Sequence, residues 1–252
     1  VLRKAGMAER MLVIAPLRPA QSTWPREAQK WTDFKELNVH VLHGAHKQQL
    51  LEQPHDVSVI NPEGLAWLLG GEEQQPVLDK AGKPVIDPRT GGPKTRTVQV
   101  PGAAQKAGVW WDILVVDEST RFKHATTERF KVLRPHLPKF NCRYILTGSP
   151  APNGMMDLFG QVYLLDLGRS LGRYITHYRN AFFDQGGYGG YTYTLQDGAE
   201  ERIYKLLKPL GLEYLQFIAF IIVIAAFVQV VEMAIERIST LLYMSLGIFL
   251  PL

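Results

Sequence analysis

Five short runs of apolar, largely β-branched residues punctuate the chain: Met11-Leu-Val-Ile-Ala15, Asn38-Val-His-Val-Leu42, Val57-Ser-Val-Ile60, Asp112-Ile-Leu-Val-Val116 and Arg143-Tyr-Ile-Leu-Thr147. Each has the length of a buried strand and falls short of a helix. Helical patterns lie between several of them. Trp24, Ala28 and Trp31 share one helix face, and Ser22-Thr23 ahead of Pro25 is a helix-start signal. Strand-helix alternation predicts a largely parallel α/β sheet covered on both faces. Residues 76–108, with Asp79-Lys-Ala-Gly82 and Asp87-Pro-Arg-Thr-Gly-Gly-Pro93, break the alternation and predict a turn-rich, basic β excursion inserted in that core. Such an excursion either lies in solvent or follows a nucleic-acid backbone.

The pattern changes near Pro209. Tyr214 to Val231 is a run of 18 residues without a charge, and Ile238 to Leu252 is a second uncharged run of 15 after the short bridge Glu232 to Arg237. Eighteen residues make about 27 Å of helix, close to the ~30 Å hydrocarbon thickness of a bilayer. The run is apolar around its whole circumference, which predicts a transmembrane-like helix in preference to a core helix with one apolar stripe.

Composition alone conceals this seam. The 252 residues are 46% hydrophobic and 21% charged with a net charge of +4, the profile of an ordinary globular chain. Residues 211–252 hold only Glu213, Glu232, Glu236 and Arg237 as charged groups, so the tail carries −2 and the first 210 residues +6. Cys142 is the one cysteine, which excludes an intrachain disulfide or a cysteine-based metal cluster and reads as a small packed hydrophobe. His40, His43 and His46 are spaced by three, but on a strand running into a loop this spacing alternates faces and does not converge three imidazoles on a metal.

In parallel sheets ligands gather at the carboxyl ends of the strands. The run ending at Val116 is followed at once by Asp117-Glu118-Ser119-Thr120. Two adjacent carboxylates there suit a nucleotide site, one holding Mg²⁺ through its water shell and the next orienting the water that attacks a γ-phosphate. Taken alone, the four residues also fit an acidic strand-to-loop corner. Gly186-Gly-Tyr-Gly-Gly-Tyr-Thr-Tyr193 offers tyrosines that suit stacking on unpaired bases, and equally a flexible loop entering a strand.

Three segments stand in a fixed order: Val13-Ile-Ala-Pro16-Leu-Arg-Pro19 with Trp24 and Glu27-Ala-Gln-Lys-Trp31, then Asp117-Glu-Ser-Thr-Arg-Phe-Lys123-His124, then Leu146-Thr-Gly-Ser-Pro-Ala-Pro-Asn153 with Asp157-Leu-Phe159. Over residues 9–208 the chain resembles the first RecA-like lobe of Swi/Snf-type superfamily 2 helicases, in the compact form found in phages. The resemblance implies ATP and Mg²⁺ as ligands of the complete protein, with Asp117 on the Mg²⁺ side of a Walker B pair and Glu118 as catalytic base. It implies that Thr147, Gly148 and Ser149 couple nucleotide state to nucleic-acid contact. Pro16 and Arg18 fall in a segment that touches the tracked strand, and Asn61 in a second backbone-contacting turn. The partner implied is nucleic acid, DNA first.

The pattern departs from the family at Thr120, where His is common, and at Ser149, where Thr is commoner. No G-x-x-x-x-G-K-[ST] loop occurs in the sequence, which begins at Val1 about where that loop and its helix would end. A second RecA-like lobe is missing too. The chain as written is therefore expected to be inactive in ATP hydrolysis. In the tail, Leu212-Glu-Tyr-Leu-Gln-Phe-Ile-Ala-Phe220, Val228-Gln-Val-Val-Glu-Met233 and Leu246-Gly-Ile-Phe-Leu-Pro-Leu252 resemble an internal piece of the membrane subunit shared by Rnf and Na⁺-translocating Nqr electron-transport complexes.

Three functional readings follow: a fragment of a nucleic-acid-dependent ATPase, a catalytically dead nucleic-acid-binding lobe using Arg18 and the basic excursion, or a fragment of a membrane electron-transport subunit. The organisation expected is a cytoplasmic RecA-like lobe over 1–210 and a membrane-associating helical segment over 211–252, with a chimeric junction near 209–213.

Overall fold

The computed structural model describes Gly6, residues 8–190 and residues 192–210. The hydrophobic tail over 211–252, with its transmembrane-like helix, lies outside the described residues; among those described, no helix is long and apolar enough to cross a membrane. The chain forms two compact units, divided between Phe183 and Asp184.

The first unit runs β1 (Met11–Ile14), α1 (Trp24–Lys30), β2 (Val39–Val41), α2 (Lys47–Glu52), β3 (Val57–Ile60), α3 (Leu65–Leu69), β4 (Gly70–Pro76), β5 (Thr95–Pro101), α4 (Ala103–Lys106), β6 (Ile113–Asp117), α5 (Glu128–Leu133), β7 (Cys142–Leu146), α6 (Leu158–Asp166) and α7 (Ile175–Phe182). Its sheet has the order β2-β3-β1-β6-β7, all pairs parallel. The five apolar runs are these five strands. Parallel pairing puts every strand end on one edge, and the register aligns Ile60, Ile14, Val116 and Ile145 in a row across it.

Continuous apolar runs are what a sheet buried on both faces requires. Along β1, Leu12, Val13 and Ile14 are fully buried, as are Val59 in β3 and Leu114 and Val116 in β6. One face gathers Val13, Ala15, Val57, Val59 and Val115, with Trp24 and Leu37 packed against them. The expectation of cover on both faces fails at β7. This strand is an edge, and Tyr144 and Leu146, alternate residues of one face, are 47% and 44% exposed. The helix face expected over Trp24 and Trp31 divides likewise: Trp24 packs on the core, whereas Trp31 is exposed and its indole donates to Glu27 one turn back.

The β excursion begins earlier than its turn residues suggested, at Gly70, and ends at Pro101. β4 and β5 pair antiparallel from Gly70↔Pro101 to Pro76↔Thr95. Two glycines pinch its root. A Cβ on Gly70 would overlap the carbonyl of Val100, and one on Gly102 would overlap Gly70 N and the carbonyl of Leu68. Gly70 also holds a φ of 83°, open to glycine at little cost.

At the opposite edge of the sheet, His40 stacks on His55 at 5.0 Å. Trp111 Nε1 donates to the buried Ser58 hydroxyl at 2.9 Å, so Ser58 turns its own proton toward His55 Nε2 at 2.7 Å, and His55 Nδ1 donates to the Gln53 carbonyl at 2.7 Å. That arrangement needs a neutral ring. Burial holds the His55 pKa below its usual 6.5, outweighing the opposing Gln53 hydrogen bond.

The second unit carries β8 (Phe183–Gly186) from its second residue on and β9 (Thr192–Leu195), which pair, followed by α8 (Ala199–Leu207). The link between the strands turns on Gly187, Gly189 and Gly190, all at positive φ. α8 buries Ala199, Ile203 and Leu207 at helical spacing. Of the tyrosines in this segment Tyr188 is fully exposed and Tyr193 partly buried; Tyr191 lies outside the described residues.

Because the His55 pKa is lower folded than unfolded, the stability it contributes is fully present above pH 6.5 and is lost as the pH falls through its folded value. Urea unfolding at a series of pH values is expected to show stability declining below pH 6.5, with a shallower decline in His55→Gln.

Candidate functional site

The acidic corner sits where the sheet order places its centre. Asp117 is the last residue of β6, between the ends of β1 and β7. Its Oδ2 accepts a hydrogen bond from Trp24 Nε1 at 3.0 Å. Trp24 thus ties the segment after β1, which contains Pro16 and Arg18, to the carboxylate. Glu118 takes the left-handed conformation, φ 54° and ψ 59°, at a cost of about 1–2 kcal/mol for a residue with a Cβ. This reverses the chain sharply and begins the turn Ser119–Phe122. The Thr120 hydroxyl donates to Glu118 Oε1.

Ser119 is fully buried, and its hydroxyl donates to Gln161 Oε1 at 2.7 Å. The Gln161 amide donates in turn to the Pro150 carbonyl at 2.5 Å and to the Asp157 carbonyl at 2.9 Å. A second bridge runs beside the first. Lys123 Nζ meets Asp157 Oδ2 at 3.0 Å, and the same oxygen accepts from both the backbone amide and the side chain of Asn153 at 3.2 Å. Asp157 is 4% exposed, so this is a pair held largely away from water. Both bridges join the segment after β6 to the segment after β7. α6 approaches closely enough for them because residue 160 is glycine: a Cβ there would overlap the carbonyl of Phe122.

Thr147, Gly148 and Ser149 follow β7, Thr147 half-buried and the other two exposed, and Thr147 Oγ1 accepts the Ser149 amide at 3.2 Å. Asn61 follows β3, and its side chain donates to Glu63 Oε2 at 2.8 Å. Burial raises the Glu63 pKa, but Asn61, its own backbone amide, Arg121 and Arg129 together hold it below the usual carboxylate value. Arg121 reaches Glu63 at 3.5 Å, an exposed contact worth little in stability that brings the turn after Asp117 toward the end of β3. Pro16 is half-buried and Arg18 exposed. The Arg18 backbone carbonyl accepts the Ser22 hydroxyl at 2.8 Å.

The residues that the family resemblance assigns to the site therefore follow the ends of four neighbouring strands, in the spatial order Asn61, Pro16 with Arg18, Asp117 with Glu118, Thr147 to Ser149. Three contributors were not recognised from sequence: Trp24, Gln161 and Asp157. Trp24 and Asp157 stand within the recognised motifs but had no role of their own there, and Gln161 carried no signal beyond being polar within an apolar helix.

The profile of the SNF2-related domain matches residues 2–213. The chain belongs to the SNF2-related family. Residues 191–252 also match the profile described as Rnf-Nqr subunit, membrane protein, so the two matches overlap over 191–213. Protein p41 of Acyrthosiphon pisum secondary endosymbiont phage 1 is 32% identical over 180 residues, covering 68% of this chain and 32% of that protein. A component of the ion-translocating oxidoreductase complex of Thioalkalivibrio sulfidiphilus is 68% identical over 47 residues, 19% of this chain and 24% of that component. The chain thus spans about a third of the phage relative and a quarter of the oxidoreductase component. The Sulfolobus solfataricus SWI2/SNF2 ATPase core, solved in complex with dsDNA, is similar at 20% identity with a TM-score of 0.47 over 72% of this chain and 30% of that one.

In this SNF2-related lobe Ser119 is the buried link to the turn after β7, and Thr120, the position of the family departure, bonds back to Glu118. Ser119→Ala would leave Gln161 Oε1 buried without its donor, an expected loss of about 1–3 kcal/mol in denaturant unfolding. Ser119→Ala combined with Gln161→Leu should cost less than the sum of the single changes, because the two groups satisfy each other.

Proposed function

We propose that residues 1–210 form the first lobe of a nucleic-acid-dependent ATPase of the helicase and translocase type, with Asp117 and Glu118 as its catalytic carboxylates. The observation that carries this reading is the buried Ser119–Gln161–Pro150 chain, which links the acidic corner to the turn holding Thr147, Gly148 and Ser149. A linkage of that kind is what transmitting nucleotide state to a nucleic-acid contact requires.

The donor set fits Mg²⁺. Among the described residues no three His, Cys, Asp or Glu side chains cluster as a metal cage. Two adjacent carboxylates with hard oxygen donors instead suit a cation that keeps most of its waters and takes its other ligands from substrate phosphates. Bound beside Asp117, Mg²⁺ would neutralise charge on the β- and γ-phosphate oxygens. Trp24 holds Asp117 in one orientation, and the Glu118 carboxylate, fixed by the left-handed backbone and by Thr120, orients the attacking water. Arg18, Pro16 and Asn61 line the edge on which a nucleic-acid backbone would lie. DNA is the partner this reading favours.

The sequence holds no Lys-bearing phosphate loop, so the chain by itself is proposed to bind nucleic acid without turning over ATP. Residues 211–252 are proposed to be a separate, membrane-type segment joined to a cytoplasmic lobe near residues 209–213. The charge seam and the identity to an ion-translocating complex support that division. Sequencing the source DNA across codons 205–215 tests it, and an uninterrupted natural reading frame in independent isolates would oppose a chimeric junction.

In a polypeptide that joins this lobe to a phosphate loop and a second RecA-like lobe, Glu118→Gln is expected to lower DNA-stimulated ATP hydrolysis by about 10²–10⁴-fold. Hydrolysis unchanged by that substitution would remove Glu118 as the base. For the chain itself, DNA binding that weakens steeply with salt and no hydrolysis above background are expected.

A further inference from the structure

The tip of the β4–β5 arm is built from a short sequence used twice. Val77-Leu-Asp-Lys-Ala-Gly-Lys-Pro84 is followed directly by Val85-Ile-Asp-Pro-Arg-Thr-Gly-Gly-Pro93, one residue longer. Each copy folds back on itself, with bridges Leu78↔Pro84 and Ile86↔Pro93, around a glycine at positive φ, Gly82 at 76° and Gly91 at 69°. The copies close a ring of backbone hydrogen bonds with the returning strand. Val85 donates to Val77, Lys94 to Val85 and Val77 to Lys94, at 2.7–2.8 Å.

Two properties of this tip point to a partner. First, it has no core of its own: none of residues 71–101 is buried, and the equivalent residues Leu78 and Ile86 are 54% and 56% exposed. A ribbon held by hydrogen bonds without a buried apolar core is marginal in water. Second, its charges are sorted. Residues 76–96 hold Lys80, Lys83, Arg89, Lys94 and Arg96 against Asp79 and Asp87, a net charge of +3. Both aspartates are engaged by their own turns. Asp79 accepts the amides of Ala81 and Lys83 at 2.8 and 2.9 Å, and Asp87 accepts the amide of Arg89 at 2.9 Å and lies 3.7 Å from its guanidinium. Among the described residues no carboxylate pairs with Lys80, Lys83, Lys94 or Arg96. Glu72 and Glu73 lie at the root, where Glu72 takes the Gln99 amide. The arm is acidic at its base and cationic at its end.

The geometry points to the arm as a second nucleic-acid contact, its doubled tip laying Lys80, Lys83, Lys94 and Arg96 against the phosphate backbone of duplex DNA. The inference rests on the reading of the lobe as a nucleic-acid-binding one, and the contact is independent of the edge formed by Arg18 and Asn61.

The test is a salt titration of the chain's affinity for a 30-bp duplex of mixed sequence, comparing the unchanged protein, Arg18→Ala, and a variant carrying Lys80→Ala, Lys83→Ala, Lys94→Ala and Arg96→Ala together. The fourfold variant should weaken binding at least about tenfold at low salt, with the salt slope reduced by about 0.9 for each phosphate no longer neutralised. Unchanged near- and far-ultraviolet circular dichroism checks its fold. Should folding fail, the charge-conserving set Lys80→Arg, Lys83→Arg and Lys94→Arg is used beside the single change Arg96→Ala, and weakening confined to the latter supports the inference. Full affinity and slope in the fourfold variant, with weaker binding in Arg18→Ala, would overturn the arm alone. No binding by the unchanged chain at low salt would overturn both the arm and the nucleic-acid reading. Poly-glutamate binding the tip as tightly as the duplex, with the same dependence on the four cations, would overturn it in favour of an acidic protein partner.

Discussion

A fully buried hydroxyl has no water to turn to, and at Ser119 that requirement shapes the edge of the sheet at the ends of β6 and β7. Its proton goes to Gln161, which it can reach only if α6 lies directly against the turn after β6, and Gln161 passes its own amide on to the Pro150 carbonyl. The helix comes that near because residue 160 lacks a side chain. Spacing at the glycine, satisfaction of the hydroxyl and position of the Pro150 carbonyl are one constraint expressed at three residues. The Lys123–Asp157 pair repeats the connection with charges, in a place where leaving either ion alone would be expensive.

The left-handed backbone at Glu118 belongs to the same arrangement. Asp117 must remain in the sheet to align with Leu146 of β7, while Ser119 must turn inward, and a single residue between them has to absorb the reversal. Glycine would do so without strain but would carry no carboxylate. Glutamate keeps a carboxylate there at a stability cost, which is what the catalytic role proposed for it would require.

Much of this was legible in the sequence, for a definite reason. Buried parallel strands need unbroken apolar runs, so Met11–Ile14, Val57–Ile60 and Ile113–Asp117 announced themselves, and their ends named the edge on which Asn61, Pro16, Arg18, Asp117, Glu118 and Thr147 to Ser149 would meet. The half-exposed face of β7 was not legible, because Arg143-Tyr-Ile-Leu-Thr147 reads the same whether or not a helix covers it. Long-range hydrogen bonds left no periodicity either: Trp24 to Asp117 spans 93 positions and Ser119 to Gln161 spans 42. The doubled tip was written plainly in Val77–Pro93 but was hidden beneath the turn residues that dominate the segment, and its root at Gly70 escaped because polar Glu72 to Gln75 carries no strand alternation.

The pinched neck at Gly70 and Gly102 separates the arm from the lobe as a unit of construction. Backbone touches backbone there, and no side chain of the arm reaches into the core, so what lies beyond the neck can lengthen, shorten or change its residues without asking the sheet to repack. The consecutive copies at the tip show one such route, since adding a hairpin to a ring of backbone bonds needs only another glycine turn. A lobe made this way can keep the acidic edge of its sheet fixed while the reach of the arm is free to vary.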